Sequence, residues 1–133
     1  MTLQINHYSD IDWHVPVGRR DDIDWKHVPG PDEPGRKFLV DGDGGFYLQA
    51  VRLPPGFDAP MHSHSHAEVF MVAEGSCTFN GTEMRPFDSL VVHAGAEYGF
   101  TAGDAGVTFL VTRLAAATFQ GADERPSDEG EGS

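Results

Sequence analysis

A chain of 133 residues, 39% hydrophobic and 23% charged, is long enough for one domain with a core and too short for two ordinary ones. Its formal net charge of −12 argues against nucleic acids and anionic membranes as partners, because both reward lysine and arginine. No stretch approaches a membrane span or a basic-then-apolar leader, and the lone Cys77 precludes an internal disulfide and suits a reducing cytoplasm.

Three zones follow one another. Residues 1–37 are polar and punctuated by proline, with Trp13 and Trp25 as large apolar anchors. Asp10-Ile11-Asp12-Trp13-His14-Val15-Pro16 is echoed by Asp22-Ile23-Asp24-Trp25-Lys26-His27-Val28-Pro29. Two copies are too few for a stacked repeat array, so the reading is two extended segments packing on the main domain or on a dimer partner.

Residues 38–119 read as all-β. Short runs rich in β-branched and aromatic residues (Phe38–Val40, Phe46–Leu53, Glu68–Ala73, Ser76–Asn80, Ser89–His93, Tyr98–Thr101 and Val107–Leu114) alternate with turn signals. Those signals include Pro54-Pro55-Gly56, Glu74-Gly75, Asn80-Gly81, Ala94-Gly95 and Gly103-Asp104-Ala105-Gly106, of which Asn80-Gly81 is the strongest hairpin signal. No long window has helical periodicity, so the expectation is a sandwich or small barrel. Phe46, Tyr47, Phe57, Phe70, Phe79, Phe100 and Phe109 are the expected core and cavity aromatics. Residues 120–133 hold five acidic groups against Arg125 and no large apolar side chain, a composition expected to stay disordered.

The chemistry concentrates in Gly56–Gly75. His62 and His64 are two apart, so in a strand they face the same side, roughly 7 Å apart along the backbone. Glu68 shares their parity and can close on them. Two imidazoles and a carboxylate with open positions suit non-haem Fe(II), and by ligand type also Mn, Ni or Zn.

These residues resemble the cupin superfamily, whose first motif is Gly-(X)5-His-X-His-(X)3,4-Glu-(X)6-Gly. Gly56, His62, His64, Glu68 and Gly75 meet every fixed position at the permitted spacing. The resemblance covers about residues 38–119 and implies a double-stranded β-helix, or jelly-roll barrel, with one divalent transition metal inside, Fe(II) favoured. The second motif, Gly-(X)5-Pro-X-Gly-(X)2-His-(X)3-Asn, is matched cleanly only by Gly95. His93 stands where proline is expected, and Tyr98 stands where the ligand histidine is expected. Three accounts are open. Tyr98 approaches the metal or moves a proton beside it; His93 turns inward to replace the imidazole; or the metal keeps His62, His64 and Glu68 alone.

Three more residues carry weight. His66 shares the histidine parity and is a candidate proton-transfer group along with Tyr98. Arg52 and Arg113 interrupt apolar strand-like runs, where a cation must either reach solvent or anchor an anionic substrate. The resemblance implies a small metalloenzyme acting on an oxygen-chelating substrate (a diketone, an enol or a hydroxylated aromatic acid) with dioxygenase-like chemistry. Its relatives with lyase, isomerase or cyclase chemistry, and non-catalytic small-molecule binders, define the alternatives. The expected assembly is a homodimer.

Overall fold

The computed structural model describes residues 2–15 and 27–114, together with the backbone of residues 119–120. The expected tail beyond residue 120 and most of the second repeat copy, including Trp25, lie outside the described residues. Eight strands follow in chain order: β1 (Gly35–Asp41), β2 (Tyr47–Leu53), β3 (Asp58–His64), β4 (Glu68–Phe79), β5 (Thr82–Met84), β6 (Ser89–Val92), β7 (Tyr98–Arg113) and β8 (Phe119–Gln120). Among the described residues the helical pieces are single 3-10 turns, and no helix is long and apolar enough to cross a membrane.

Every strand pairing among the described residues is antiparallel. One path runs β1-β2-β7-β3-β8, while β4 joins β5, β6 and β7. The fold is an all-β jelly roll of the double-stranded β-helix kind. Asn80-Gly81 forms the two-residue hairpin between β4 and β5, with φ of 45° and 86° and Phe79 opposite Thr82. Positive φ at both loop residues matches the right-handed twist of the strands they join.

Two turn signals behave otherwise. Glu74-Gly75 lies inside β4 and Gly103–Gly106 lies inside β7, so four expected strands become two long ones. Gly75 (φ +72°) and Gly106 (φ +77°) meet where β4 and β7 bend together, with register shifts at Val72/Glu74 and Gly75/Cys77. A Cβ at Gly75 would overlap the carbonyl oxygen of Gly106, so this crossing admits no side chain. Glycine supplies positive φ to bulges as readily as to turns, and the long β4–β7 pairing decides between them here.

The core follows from alternation along the strands. Phe70, Phe79, Phe100 and Phe109 cluster with ring centroids 5.0 to 6.2 Å apart, within a shell of Val51, Leu53, Val72, Val107 and Val111. Each such aromatic, fully buried, contributes about 1.5–3 kcal/mol. Tyr47 is half-buried at the start of β2, and Phe46 departs furthest from the expected core aromatics. It follows the 3-10 turn Asp43–Gly45 instead of standing in a strand, and is 52% exposed.

The N-terminal segment lies across the outside of β1 and β2. His14 makes an antiparallel bridge to Arg36, and the Trp13 ring covers Gly35. Lys37 donates to the Tyr8 carbonyl (2.8 Å) with its ammonium 3.7 Å above the Tyr8 ring, and the Arg52 guanidinium lies 4.3 Å above the ring of Trp13. These cations over aromatic faces tie the segment to the barrel through both charge and contact area.

Candidate functional site

β3 delivers the two imidazoles. His62 and His64 face the interior with ring centroids 5.1 Å apart and planes at 86°. His62 Nδ1 lies 2.8 Å from the Pro60 carbonyl, which can only accept, so Nδ1 carries a proton and, in the neutral ring, Nε2 carries the lone pair. A backbone carbonyl holding one ring nitrogen is the usual way a metal-binding imidazole is oriented. His64 is buried, and its own carbonyl accepts from the Gly95 N–H (2.9 Å), which fastens the turn after β6 over the end of β3.

β7 delivers Tyr98 opposite His62 in register, with rings 4.4 Å apart and the His64 ring 5.9 Å away. Tyr98 is buried among Phe70, Phe79 and Phe100, and its hydroxyl donates to Glu68 Oε1 at 3.4 Å. The other carboxylate oxygen accepts from Arg113 Nη1 at 2.6 Å, with both side chains almost fully buried. Burial pushes the Glu68 carboxyl upward, against the pull of Arg113 and Arg36. Burial, then the Glu68 carboxylate, drives the Tyr98 phenol far above its ordinary value, so its proton stays on the oxygen.

The donor set bears unevenly on a metal. The imidazole pair fits a divalent transition ion by type and orientation. Glu68 is committed to Arg113 and Tyr98, and among the described residues no three His, Cys, Asp or Glu side chains converge as a metal-holding group. Glu68 Oε2 is held by Arg113, which leaves Oε1, beside Tyr98, as the carboxylate oxygen for an ion shared with the histidines.

The other candidates separate clearly. His66 lies in the bend after β3, exposed, its Nδ1 2.9 Å from the Ser65 hydroxyl, because the strand ends at His64 and parity no longer applies. It lines a cavity of about 450 Å³ that reaches Glu68 and Arg113 and is walled by Phe46, Val91 and Leu114. His93 is exposed just past β6, so its side chain is not turned inward, and its carbonyl accepts from the Ala96 N–H. Arg113 belongs to the site. Arg52 does not: it points outward, donating to the carbonyls of Pro29 and Gly30 at 3.2 Å. Alternation tells the two arginines apart. Arg52 stands between inward Val51 and Leu53, while Arg113 continues the inward series Val107, Phe109, Val111.

Sequence reasoning missed Gln49 and Arg36. Gln49 is 1% exposed on the inward face of β2, paired with Val111, and Arg36 is 3% exposed opposite Val51. Gln49 shares parity with Val51 and Leu53, which was its signal.

Residues 49–113 match the family described as Cupin domain, and the chain belongs to the cupin superfamily. No curated protein matches it by sequence. Among solved structures it is similar to the polyketide cyclase RemF from Streptomyces resistomycificus, at 18% identity and TM-score 0.69, over 96% of this chain and 89% of that one. A candidate acetylacetone dioxygenase from Methylibium petroleiphilum is similar at 17% identity and TM-score 0.65, covering 95% and 86%. KdgF from Halomonas is similar at 16% identity and TM-score 0.62, covering 85% and 94%. At these identities the likeness is one of fold.

Proposed function

We infer that this cupin is a small metalloenzyme acting on an oxygen-chelating substrate (a diketone, an enol or a hydroxylated aromatic acid). The observation that carries the reading is the inward imidazole pair of His62 and His64 beside a buried phenol, carboxylate and guanidinium. His62 and His64 would hold one divalent transition ion, Fe(II) favoured and Mn, Ni or Zn by the same ligand chemistry, with Glu68 as third ligand. Bound there, the ion would polarise substrate oxygens and, if iron, supply dioxygenase-like redox chemistry.

The chain's own residues have definite tasks in this reading. Tyr98 Oη holds a proton next to Glu68 Oε1, a donor and an acceptor within one contact. Arg113 Nη1 favours the ionised carboxylate, and the phenylalanines beneath keep water from the floor of the site. The Tyr98–Glu68 contact also favours a second reading, non-redox cyclase, lyase or isomerase chemistry, since proton transfer alone drives such reactions. The likenesses to a polyketide cyclase and to a candidate diketone dioxygenase are compatible with each reading in turn. The proposed assembly is a homodimer, supported by the apolar outer stripe of Val69, Met71 and Val91 on β4 and β6, to be checked by sedimentation.

Metal analysis of protein purified without chelator tests the proposal. About one transition ion per chain is expected, falling to near zero in His64→Ala with the melting transition retained. Protein that arrives without metal and takes up none on titration would overturn it. Oxygen uptake with a diketone panel then separates the redox reading from the proton-transfer one.

A further inference from the structure

Arg113 uses only one of its two hydrogen-bonding edges. Nη1 donates to Glu68, whereas Nε and Nη2, which share the opposite edge of the guanidinium, have no hydrogen-bond partner among the described residues although they are buried. The amide of Gln49 is in the same condition at both its nitrogen and its oxygen. The two side chains are diagonal neighbours on one face: Gln49 pairs with Val111 and Tyr47 with Arg113, an offset that places their Cβ atoms roughly 7–8 Å apart. Burying such groups without partners costs their full desolvation, and native proteins leave few of them without a role.

We propose that Arg113 and Gln49 form the recognition end of the ligand site and take a small carboxylate with an apolar body. The Nε–Nη2 edge is a planar two-donor fork that matches the two oxygens of a carboxylate. The Gln49 amide nitrogen supplies a third donor, and its oxygen accepts a hydroxyl where the ligand has one. Arg113 and Glu68 also line a cavity of about 450 Å³, a volume on the scale of an aromatic acid, whose other walls include His66, Val69 and Val91. Phe70, beside Val111 in register, offers the apolar body a surface. Glu68 and Gln49 flank the fork from opposite strands, so the anion docks beside the histidines and not in their place. The inference rests on the reading above only in treating the barrel interior as a small-molecule site.

Benzoate and benzamide, of equal shape and different charge, serve as probes in calorimetry on metal-loaded and chelator-treated protein. Benzoate is expected to bind at least about tenfold more tightly than benzamide in both states. Arg113→Lys, which keeps a cation for Glu68 but loses the fork, should weaken benzoate about tenfold, and Gln49→Leu about threefold, with benzamide little changed. Arg85→Ala, removing an exposed cation paired to Glu83, should change neither. Cooperative melts establish that each variant folds, and Gln49→Leu decides the matter should the lysine variant not. Equal affinities for the two probes, no binding of either, or equal losses in all three variants would overturn the proposal. A benzoate preference in protein that takes up no metal leaves it standing while the metalloenzyme reading falls; metal uptake without that preference does the reverse.

Discussion

The inner faces of β2, β4 and β7 each change character along their length. Gln49 gives way to Val51 and Leu53, Glu68 to Phe70 and Val72, and Arg113 to Val111, Phe109 and Val107. One end of the barrel interior is therefore a polar layer holding a buried ion pair, and the other is a closed aromatic core. The apolar end is stabilised by contact and area, which add up without direction. The polar end works only as a set, because each buried group left alone is a liability. The same strands thus carry a rigid base and a demanding site on top of it.

That contrast can be broken from either end. Phe109→Ala, at a fully buried ring touching three other phenylalanines, should cost about 3–5 kcal/mol in denaturant unfolding, with no second substitution restoring it. Arg113→Met should cost a similar amount, about 3–5 kcal/mol, by stranding the Glu68 carboxylate. Adding Glu68→Leu to it should recover most of that loss while ligand and metal binding stay absent. Failure of the double variant to recover would mean the pair contributes far more than its own neutralisation. Gly75→Ala attacks the base instead, and should cost more than about 2 kcal/mol through positive φ and the clash with Gly106.

Tyr98→Phe removes one hydroxyl donor from Glu68 and should change stability by only about 1 kcal/mol. Under the proposed function, metal content stays unchanged while turnover is lost. The smallest effect concerns Cys77, deep in the apolar end. Burial raises its thiol from 9.0 to about 11, so the stability it contributes is fully present below pH 9.0 and is lost as pH rises through about 11. Alkylation at pH 8 should be negligible in the native protein and complete after unfolding.

Much of the site was legible because it is local. His62 and His64 need only strand parity to share a face, and Asn80-Gly81 carries its own hairpin chemistry. The partners of Glu68 were less so, since Tyr98 and Arg113 lie 30 and 45 residues further along and meet it only through strand pairing. Gly75 and Gly106 misled for the same reason: a glycine between apolar runs satisfies a turn and a bulge alike, and the choice belongs to the other strand. Arg52 against Arg113, by contrast, was decidable from alternation alone.

The bend at Gly75 and Gly106 also acts as a parity switch. Before it, β4 directs even-numbered Glu68, Phe70 and Val72 inward; after it, odd-numbered Cys77 and Phe79. β7 does the same, with Tyr98, Phe100 and Ala102 giving way to Val107, Phe109, Val111 and Arg113. A strict two-residue period would send Tyr98 and Arg113 to opposite sides of the wall. Deleting a single residue of β7 at this corner would turn one half of that strand inside out, leaving the phenol and the guanidinium unable to reach the same carboxylate.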